Sequence, residues 1–336
     1  MPRILVTGAA GFIGSITSEI LLANGFGVLA VDDLSNGHRA AVPDGAEFAE
    51  LDILDRPALA ALLKDRRCYA AFHFAAEAVI PVTVRDPMRA WRLNLGGTLS
   101  LCEAMAEAGV KRLIVSSTCA VYGSPDTIPI TESTRKAPIN PYGASKLAAE
   151  WMLDSFAAAH GMEYVAFRYF NVCGATQARG EDRPEETHAI PLAVDTALGR
   201  RGPFIVMGND YPTPDGTCVR DYVHARDVAG AHLAALGRLG SLPQRAYNIG
   251  IGKGFSVLEV MRAVEKTAKE HGREVPWKFG QRREGDPPTL VADSSAFERD
   301  TGFTPTITSL DQMVADTWMW RIAHPQGYEG PTGGAV

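Results

Sequence analysis

Tyr142 and Lys146 stand four positions apart in the run PYGASK, residues 141–146, and their side chains could together support proton transfer. An apolar, alanine-rich stretch follows over residues 147–160 and predicts a helix, on which residues four apart share one face. A free tyrosine has a pKa of about 10, and a nearby positive charge lowers that pKa because it stabilises the phenolate. The pair is therefore a candidate general base at neutral pH. A surface tyrosine lying along a lysine stem would show the same spacing, so the motif depends on its context.

A glycine-rich turn near the N-terminus predicts a nucleotide site. The apolar strand Arg3–Thr7 runs into GAAGFIG, residues 8–14, and then into a helix at 15–22 and a second strand at 28–31. Glycines let the backbone approach a pyrophosphate at the helix N-terminus. Asp32 follows Gly14 by 18 residues, beside Asp33, where an acid accepts from a ribose 2′-hydroxyl and repels a 2′-phosphate. A ligand-free turn would explain the glycines but not Asp32, so we expect NAD rather than NADP.

Strands and helices continue to alternate along the first half of the chain. We expect strands at 47–51, 70–76, 112–116 and 164–170, with helices at 57–63, 87–108 and 142–160. This alternation predicts an α/β fold, a doubly wound parallel Rossmann sheet covered on both faces. In such sheets ligands bind beyond the carboxyl ends of the strands. One cleft should therefore collect the residues that end or follow strands, namely Gly8, Asp32, Asp52, Ala75, Thr118 and Asn171.

The pattern loosens after Asn171, which indicates a second structural unit. Residues 174–186 and 209–216 are polar and rich in turn residues, whereas a helix at 227–236 and a strand at 246–250 resume the alternation. We predict a nucleotide-binding Rossmann domain over residues 1–172, to which residues 223–250 return, and a smaller C-terminal substrate lobe over residues 173–336. The lobe holds Arg220, Arg282 and Arg283, cations suited to a second set of phosphates. We expect residues 327–336 to form a frayed tail.

Composition excludes several classes of protein. The 336 residues are 46% hydrophobic and 21% charged, as in ordinary globular proteins. The net charge is -6 with no basic stripe, so we expect no nucleic-acid partner. No apolar run reaches membrane-spanning length, and the N-terminus lacks a signal-peptide layout, so we expect a cytoplasmic protein without a membrane partner. The five cysteines are scattered without a Cys-x-x-Cys pair, which predicts reduced thiols and no metal site.

Four stretches together resemble the extended short-chain dehydrogenase/reductase family. They are TGAAGFIG (7–14), SSTCAVYG (116–123), the pair Tyr142 and Lys146, and RYFN (168–171). Later stretches resemble one branch of it, the UDP-glucose 4-epimerases: GNDYPT (208–213), DGTCVRDY (215–222), RREGD (282–286), DTW (316–318) and HPQGY (324–328). The resemblance covers nearly the whole chain.

The resemblance implies an isomerase that uses NAD to invert C4 of a UDP-hexose, UDP-glucose or UDP-galactose, through a transient 4-keto sugar. It makes Tyr142 the base, Lys146 the residue that holds the cofactor ribose, and Thr118 the hydroxyl that bonds the sugar oxygen. The implied cofactor-binding residues are Gly8, Gly11, Phe12, Ile13, Gly14, Asp32, Asn36, Asp52, Ile53, Phe74, Ala75, Ala76, Asn94, Tyr142, Lys146 and Tyr169. The implied substrate-binding residues are Thr118, Tyr142, Phe170, Asn171, His188, Arg220, Arg283 and Leu290. A buried Asn94 could equally bond a neighbouring strand or loop.

The sequence departs from the family pattern at two positions. His188 stands where an asparagine is usual, and Ala78 replaces a usual lysine after the fourth strand, which removes one contact to the cofactor phosphates. Leu290 aligns with a residue that gates N-acetylated sugars, and leucine leaves more room than the tyrosine found in closed pockets. Thr118 is followed by Cys119 and Ala120, which cannot protonate a leaving C6 hydroxyl, so we expect no dehydration of the sugar.

Two other functions remain open at this point. One is a UDP-pentose 4-epimerase that interconverts xylose and arabinose forms, and the other is a non-catalytic NAD-binding sensor on the same fold. Retention of both Tyr142 and Lys146 argues against the sensor. Relatives pair through two helices, here residues 87–108 and 142–160, so the resemblance implies a homodimer.

Overall fold

Strands and helices alternate along the chain in the computed structural model, which describes residues 1–283 and 285–329. The strands are β1 (Arg3–Thr7), β2 (Gly27–Asp32), β3 (Glu47–Glu50), β4 (Ala70–His73), β5 (Arg112–Thr118), β6 (Glu163–Tyr169), β7 (Asn171–Cys173), β8 (Phe204–Met207), β9 (Val219–His224), β10 (Ala246–Ile249), β11 (Gly254–Ser256), β12 (Trp277–Gly280) and β13 (Thr289–Leu290). The α-helices are α1 (Phe12–Ala23), α2 (Arg56–Asp65), α3 (Ile80–Arg85), α4 (Pro87–Ala90), α5 (Gly97–Ala108), α6 (Pro141–His160), α7 (Ala189–Ala197), α8 (Ala225–Leu236), α9 (Val257–Glu270), α10 (Ser295–Thr301) and α11 (Leu310–Ala323).

The largest sheet has seven parallel strands in the order β10-β6-β5-β4-β1-β2-β3. The strand order reverses between β1 and β4, because the chain builds outward first through β2 and β3 and then through β5 and β6. In doubly wound sheets this reversal opens a ligand-binding crevice at the carboxyl ends of the strands. The predicted fold class is confirmed.

Alternate residues of the central strands feed two apolar layers, one on each face of the sheet. On β1, Ile4 and Val6 join one layer with α8 and α10, whereas Leu5 joins the other with α2, α5 and α6. Each of these three side chains is fully buried. A parallel sheet covered on both faces needs such continuously apolar strands, which is why residues 3–7 carry no hydrophobic alternation.

A second group of elements surrounds β9, which pairs with β7, β11 and β13. Helices α7, α9 and α11 share a separate apolar cluster that includes Val194, Val260 and the fully buried Trp318. The chain crosses back more than once, because α8 packs against α1, β10 joins the large sheet beside β6, and α10 later packs against β10.

Several boundaries differ from the predicted ones. The fourth strand ends at His73 rather than at residue 76, and the expected helix over 87–108 is interrupted by a π-helical segment, Trp91–Gly96. A frayed end was also the wrong expectation for Gly327–Glu329, which form a short 3-10 turn whose Tyr328 hydroxyl accepts from Gly180 N at 3.0 Å. The rest of the predicted tail, residues 330–336, lies outside the described residues. Over the described part of the chain, no helix has the length and apolarity to span a membrane.

Candidate active site

The turn after β1 brings the backbone of α1 to the cleft. Gly8 has a φ of +67°, and a Cβ there would lie 2.6 Å from the nitrogen of Ala75. A Cβ on Gly14 would lie 2.1 Å from the oxygen of Gly8, so both glycines are required by packing within the protein. Gly11 is different, because a Cβ added there would meet only Gly8 O, at 3.4 Å. As an N-cap without a side-chain acceptor, Gly11 leaves the first N–H groups of α1 available to an anion, which fits the pyrophosphate of a dinucleotide.

Asp32 ends β2 with its carboxylate fixed by the backbone. One oxygen accepts from Ala10 N and the other from Leu34 N, each at 2.9 Å. Partial burial and the neighbouring Asp33 raise the pKa of Asp32, whereas these two N–H groups lower it. Each carboxylate oxygen retains an acceptor site, so the group can receive a ribose hydroxyl and would repel a phosphate.

A cavity of about 340 Å³ lies at the reversal of strand order, where the strand ends meet. This is within the size range of ligand pockets in proteins. Its lining includes most of the residues predicted to hold the cofactor: Gly8, Gly11, Phe12, Ile13, Gly14, Asp32, Asn36, Ile53, Phe74, Ala75, Ala76, Tyr142, Lys146 and Tyr169.

The start of α6 sets Tyr142 against the end of β5. Asn140 caps the helix by accepting from Gly143 N at 2.8 Å, and Pro141 provides a first residue with no N–H to satisfy. A Cβ on Gly143 would lie 2.5 Å from the oxygen of Ala120, so the first turn of α6 packs closely on the chain that follows Thr118. The Thr118 hydroxyl is near enough to lower the pKa of Tyr142 by hydrogen bonding.

The largest influences on the pKa of Tyr142 in this structure come from burial and from groups other than Lys146. Burial raises the pKa of Tyr142 to about 12, and the opposing contributions come from Thr118 and Arg183. The Lys146 ammonium instead donates to Ser116 O at 2.8 Å and to Ser116 Oγ at 3.2 Å. Burial lowers the pKa of Lys146 to about 8, partly offset by Glu150. The i to i+4 spacing places both side chains at the cleft, but it does not decide which atoms they contact.

A buried ion pair fixes α6 to the sheet behind these residues. Glu150 accepts from Arg168 Nη2 at 2.6 Å and from Ser117 Oγ at 2.5 Å. Arg168 also donates to the Tyr122 hydroxyl at 2.9 Å, which in turn donates to Asn248 Oδ1 at 2.7 Å. The network joins α6, β5, β6 and β10, and so fixes the helix that carries Tyr142 and Lys146.

Two predicted cofactor residues do not line the cavity. Asn94 is fully buried on the π-helical segment, where its amide accepts from Glu77 N at 2.8 Å and donates to Glu77 O and to Ser145 Oγ. Through these bonds Asn94 stabilises the wall of the cleft. π-Helical segments are frequent at functional sites. Asp52 is exposed and accepts from Leu54 N at 2.8 Å, next to the lining residue Ile53.

Apart from Tyr142, the residues predicted to hold the substrate are not part of the cavity lining. Phe170 and Leu290 are buried in one apolar cluster with Cys119, directly after Thr118. Arg220 pairs with Leu290 across β9 and β13. The remaining three are Asn171 at the start of β7, His188 before α7, and the exposed Arg283.

His188 belongs to a cluster of charged groups next to the cleft. Its Nδ1 lies 2.9 Å from Glu181 Oε1 and 3.2 Å from Glu186 Oε1. Burial would lower the pKa of His188, but the two carboxylates raise it to about 9. Burial would likewise raise the pKa of Glu181, but His188 and Arg183 lower it to about 2. The possible ligand atoms of His188, Glu181 and Glu186 come within 4.8 Å of one another, yet Arg183 and Arg321 already neutralise the carboxylates.

The segment 182–185 is part of the lining that the sequence did not identify. Polar loop residues carry no signal of which cleft they approach, and residues 174–186 between β7 and α7 are predicted only as a loop. The segment contributes Asp182, Arg183, Pro184 and Glu185 to the cavity wall, and Glu185 pairs with Arg85 of α3 at 2.7 Å. Glu77 also lines the cavity and is 2.8 Å from Arg89.

Comparison with known proteins supplies the family. Residues 4–250 match the model of the NAD dependent epimerase/dehydratase family, which is well over half of the chain. The chain belongs to this family. Within this family, the chain is 43% identical over 343 residues to UDP-glucose 4-epimerase of Azospirillum brasilense, and the match covers 100% of this chain and 97% of that protein. The predicted resemblance to the UDP-glucose 4-epimerases is confirmed.

Solved structures of similar proteins have the same fold as this epimerase. UDP-glucose 4-epimerase from Brucella ovis in complex with NAD has a TM-score of 0.90 at 41% identity, over 95% of this chain and 98% of that one. UDP-glucose-4-epimerase from Stenotrophomonas maltophila, with bound NAD and formylated UDP-arabinopyranose, has a TM-score of 0.91 at 36% identity, over 97% and 99%.

Proposed function

We propose that this protein is an NAD-dependent UDP-glucose 4-epimerase, which interconverts UDP-glucose and UDP-galactose. The observation that carries the proposal is that Tyr142 and Lys146 line the same cavity as the dinucleotide turn, with Thr118 at the end of the neighbouring strand β5. A tyrosine at that place can exchange a proton with a sugar hydroxyl beside the cofactor.

Tyr142 and Thr118 have distinct parts in the reaction. Tyr142, as phenolate, takes the proton of the sugar C4 hydroxyl, while Thr118 bonds the same sugar oxygen and orients it. NAD, when bound at the glycine turn and Asp32, would supply the acceptor for the C4 hydride and the source of its return to the other face of the sugar. Tyr142 gives the proton back to the C4 oxygen once the 4-keto sugar has turned over. Proton and hydride are both restored, so the net change is inversion at C4.

Burial disfavours the charged forms of both Tyr142 and Lys146, because each charged form loses hydration. It raises the pKa of Tyr142 to about 12 and lowers that of Lys146 to about 8. Ser116 keeps Lys146 at the carboxyl end of β5, within the cavity that also holds Tyr142.

The cofactor assignment is tested by releasing the bound nucleotide. The Asp32 carboxylate favours NAD because a 2′-phosphate would lie against a fixed negative charge. Protein purified without added nucleotide is expected to release NAD on denaturation, as measured by enzymatic cycling. Release of NADP would contradict the charge argument.

Activity is tested by incubating the purified protein with UDP-galactose and detecting UDP-glucose. UDP-xylose in a parallel reaction separates the hexose enzyme from a pentose enzyme, since the relative from Stenotrophomonas maltophila has a formylated UDP-arabinopyranose bound. Turnover of UDP-xylose alone would replace the proposed substrate, and turnover of neither sugar by NAD-loaded protein would favour the non-catalytic sensor.

We propose that two parts of the chain bind different ligands, as the sequence predicts. Residues 1–172 with 223–250 would hold NAD, and residues 173–222 with the rest of the C-terminal part would hold the UDP-sugar. The location of Arg220, His188 and Leu290 outside the large sheet supports this proposal.

A homodimer is proposed through the helices of the predicted interface. Met88 and Trp151 are 65% and 63% exposed, on α4 and α6, and Val84 on α3 is 60% exposed. Exposed large apolar side chains on neighbouring helices favour burial against a second copy. Light scattering should give twice the chain mass, and Trp151→Glu should shift the protein toward monomer; a monomeric wild type would contradict the proposal.

A further inference from the structure

The 3-10 turn after α11 contacts part of the cavity wall, although the reaction described above gives this turn no part. It belongs to the stretch HPQGY (324–328). The Tyr328 hydroxyl accepts from Gly180 N at 3.0 Å and donates to Gly180 O at 3.2 Å. Tyr328 N donates to Asp182 Oδ2 at 2.9 Å. One residue of the turn therefore holds two positions of the wall segment, which we define as residues 179–185.

The wall segment packs on the turn and on α11 with no side chain between them. Gly327 has a φ of +63°, and a Cβ there would lie 2.0 Å from Asp182 Oδ2. A Cβ on Gly180 would lie 2.3 Å from Trp320 Cδ2. Asp182 is also a lining residue of the cavity, so this close packing extends from the turn to the place proposed for the cofactor.

Asp182 is held from the opposite side by the loop that follows β2. His38 Nε2 lies 3.5 Å from Asp182 Oδ2, and the centroids of the His38 and Tyr328 rings are 5.6 Å apart. The backbone of His38 donates to Ala10 O at 3.0 Å, in the glycine turn. Asn36, two residues earlier, lines the cavity. The glycine turn, the loop after β2 and the wall segment are thereby joined around one end of the cavity.

We propose that Tyr328 is a positioning residue for the cofactor, which holds the wall segment against the cavity and so slows the release of NAD. The start of the segment is anchored separately, because Arg179 bonds Glu19 of α1 at 3.1 Å and Ala41 O at 2.9 Å. Loss of the Tyr328 bonds would therefore free residues 180–185 while the anchor at Arg179 remains. A ligand enclosed by such a segment leaves only when the segment opens.

The inference rests on the proposed cofactor, so the first test is the rate at which NAD leaves. Tyr328→Phe removes both hydroxyl bonds to Gly180 but keeps the ring. NAD-loaded wild type and variant are dialysed, and the NAD retained by the protein is measured at intervals by enzymatic cycling. The release rate should rise about 3–10-fold in Tyr328→Phe, as expected for the loss of one or two hydrogen bonds. Equal release rates would overturn the inference.

Tyr164→Phe is the matched control. Its hydroxyl donates to Asp154 at 2.8 Å, and Tyr164 belongs to the apolar layer on α2, α5 and α6 rather than to the cavity lining. Tyr164→Phe should therefore release NAD at the rate of the wild type. If both variants released NAD faster by the same factor, the effect would come from general loosening of the fold, and the inference would be overturned.

A second measurement does not depend on the cofactor. Trypsin cleaves after arginine, and the nitrogen of the bond between Arg179 and Gly180 is the atom that donates to Tyr328. The other arginine of the segment, Arg183, precedes Pro184 and is not a cleavage site. In protein freed of nucleotide, Tyr328→Phe should raise the initial rate at which the fragment beginning at Gly180 appears by at least about threefold, as measured by mass spectrometry, whereas Tyr164→Phe should not.

An unchanged cleavage rate in Tyr328→Phe would overturn the inference. If the purified protein releases NADP or no nucleotide, the proposed cofactor fails, while the cleavage rate still decides whether Tyr328 holds the wall segment.

Discussion

Replacing Glu150 with glutamine tests how strongly the buried ion pair holds the helix that carries Tyr142 and Lys146. Glu150 and Arg168 are 8% and 6% exposed, and their closest atoms are 2.6 Å apart. Glutamine has the same shape and still accepts from Ser117, but it leaves the Arg168 guanidinium buried without a counter-charge. Removing one partner of a buried pair costs about 3–5 kcal/mol, a large share of the stability of a typical domain.

The chain contains a more exposed ion pair that serves as the control and joins β5 to β6 rather than α6 to β6. Arg112 and Glu163, at the starts of β5 and β6, pair at 3.0 Å but are 33% and 39% exposed. Glu163→Gln should therefore cost less than about 1 kcal/mol. Urea unfolding of both variants, read by tryptophan fluorescence at equal NAD occupancy, gives the comparison. Equal losses, or a loss below about 1 kcal/mol for Glu150→Gln, would refute the reasoning from burial.

The same substitution has a consequence for Lys146, which lies one turn before Glu150 on α6. Burial lowers the pKa of Lys146 to about 8, and the Glu150 carboxylate raises it from what burial alone would give. Glu150→Gln should therefore lower that pKa further, and the ammonium should be lost at a lower pH. The alkaline limb of the kcat profile should move downward, whereas Glu163→Gln should leave it in place.

Three further predictions concern single residues. Tyr142→Phe should reduce turnover by about 10²–10⁴-fold with retained fold and NAD content; wild-type turnover would remove Tyr142 as the base. Wild type should epimerise UDP-N-acetylglucosamine as well as UDP-glucose, and Leu290→Tyr should suppress only the former, so equal loss of both activities would exclude Leu290 as the gate. The carboxylates raise the pKa of His188 from 6.5 to about 9, so the stability that this pairing contributes is complete below pH 6.5 and is lost as pH rises through 9. His188→Asn should therefore reduce the change of melting temperature with pH over that range. An unchanged dependence of melting temperature on pH would contradict the assignment.

The strand ends could be predicted from the sequence because local patterns determine them. Apolar runs that stop at Gly8, Asp32 and Thr118 mark the carboxyl edge of a parallel sheet, and that edge collects most of the cofactor-facing residues. The spacing of Tyr142 and Lys146 likewise follows from one helix with a clear N-cap.

Contacts between distant segments could not be predicted in the same way. The position of Arg183 depends on its pairing with Glu181 and on the segment crossing to the cleft, and neither leaves a periodic pattern in the sequence. The sequence also could not identify Ser116 O as an acceptor for the Lys146 ammonium, at 2.8 Å. Asn94 lies on a π-helical segment, which a 3.6-residue period does not reveal, and there it bonds Glu77 and Ser145.

Because β10 pairs with the edge of β6, a growing chain cannot complete the large sheet until the segment between these two strands has been synthesised. Between Tyr169 and Ala246 lie the 76 residues from 170 to 245. At about 5–20 residues per second, a ribosome needs roughly 4–15 s to make them. Throughout that interval the apolar edge of β6 has no partner, and unpaired edges invite association with other nascent chains. A truncated product that stops after residue 172 keeps the glycine turn and the tyrosine helix but never acquires the strand that covers this edge, so it should accumulate in aggregates rather than as an isolated nucleotide-binding fragment.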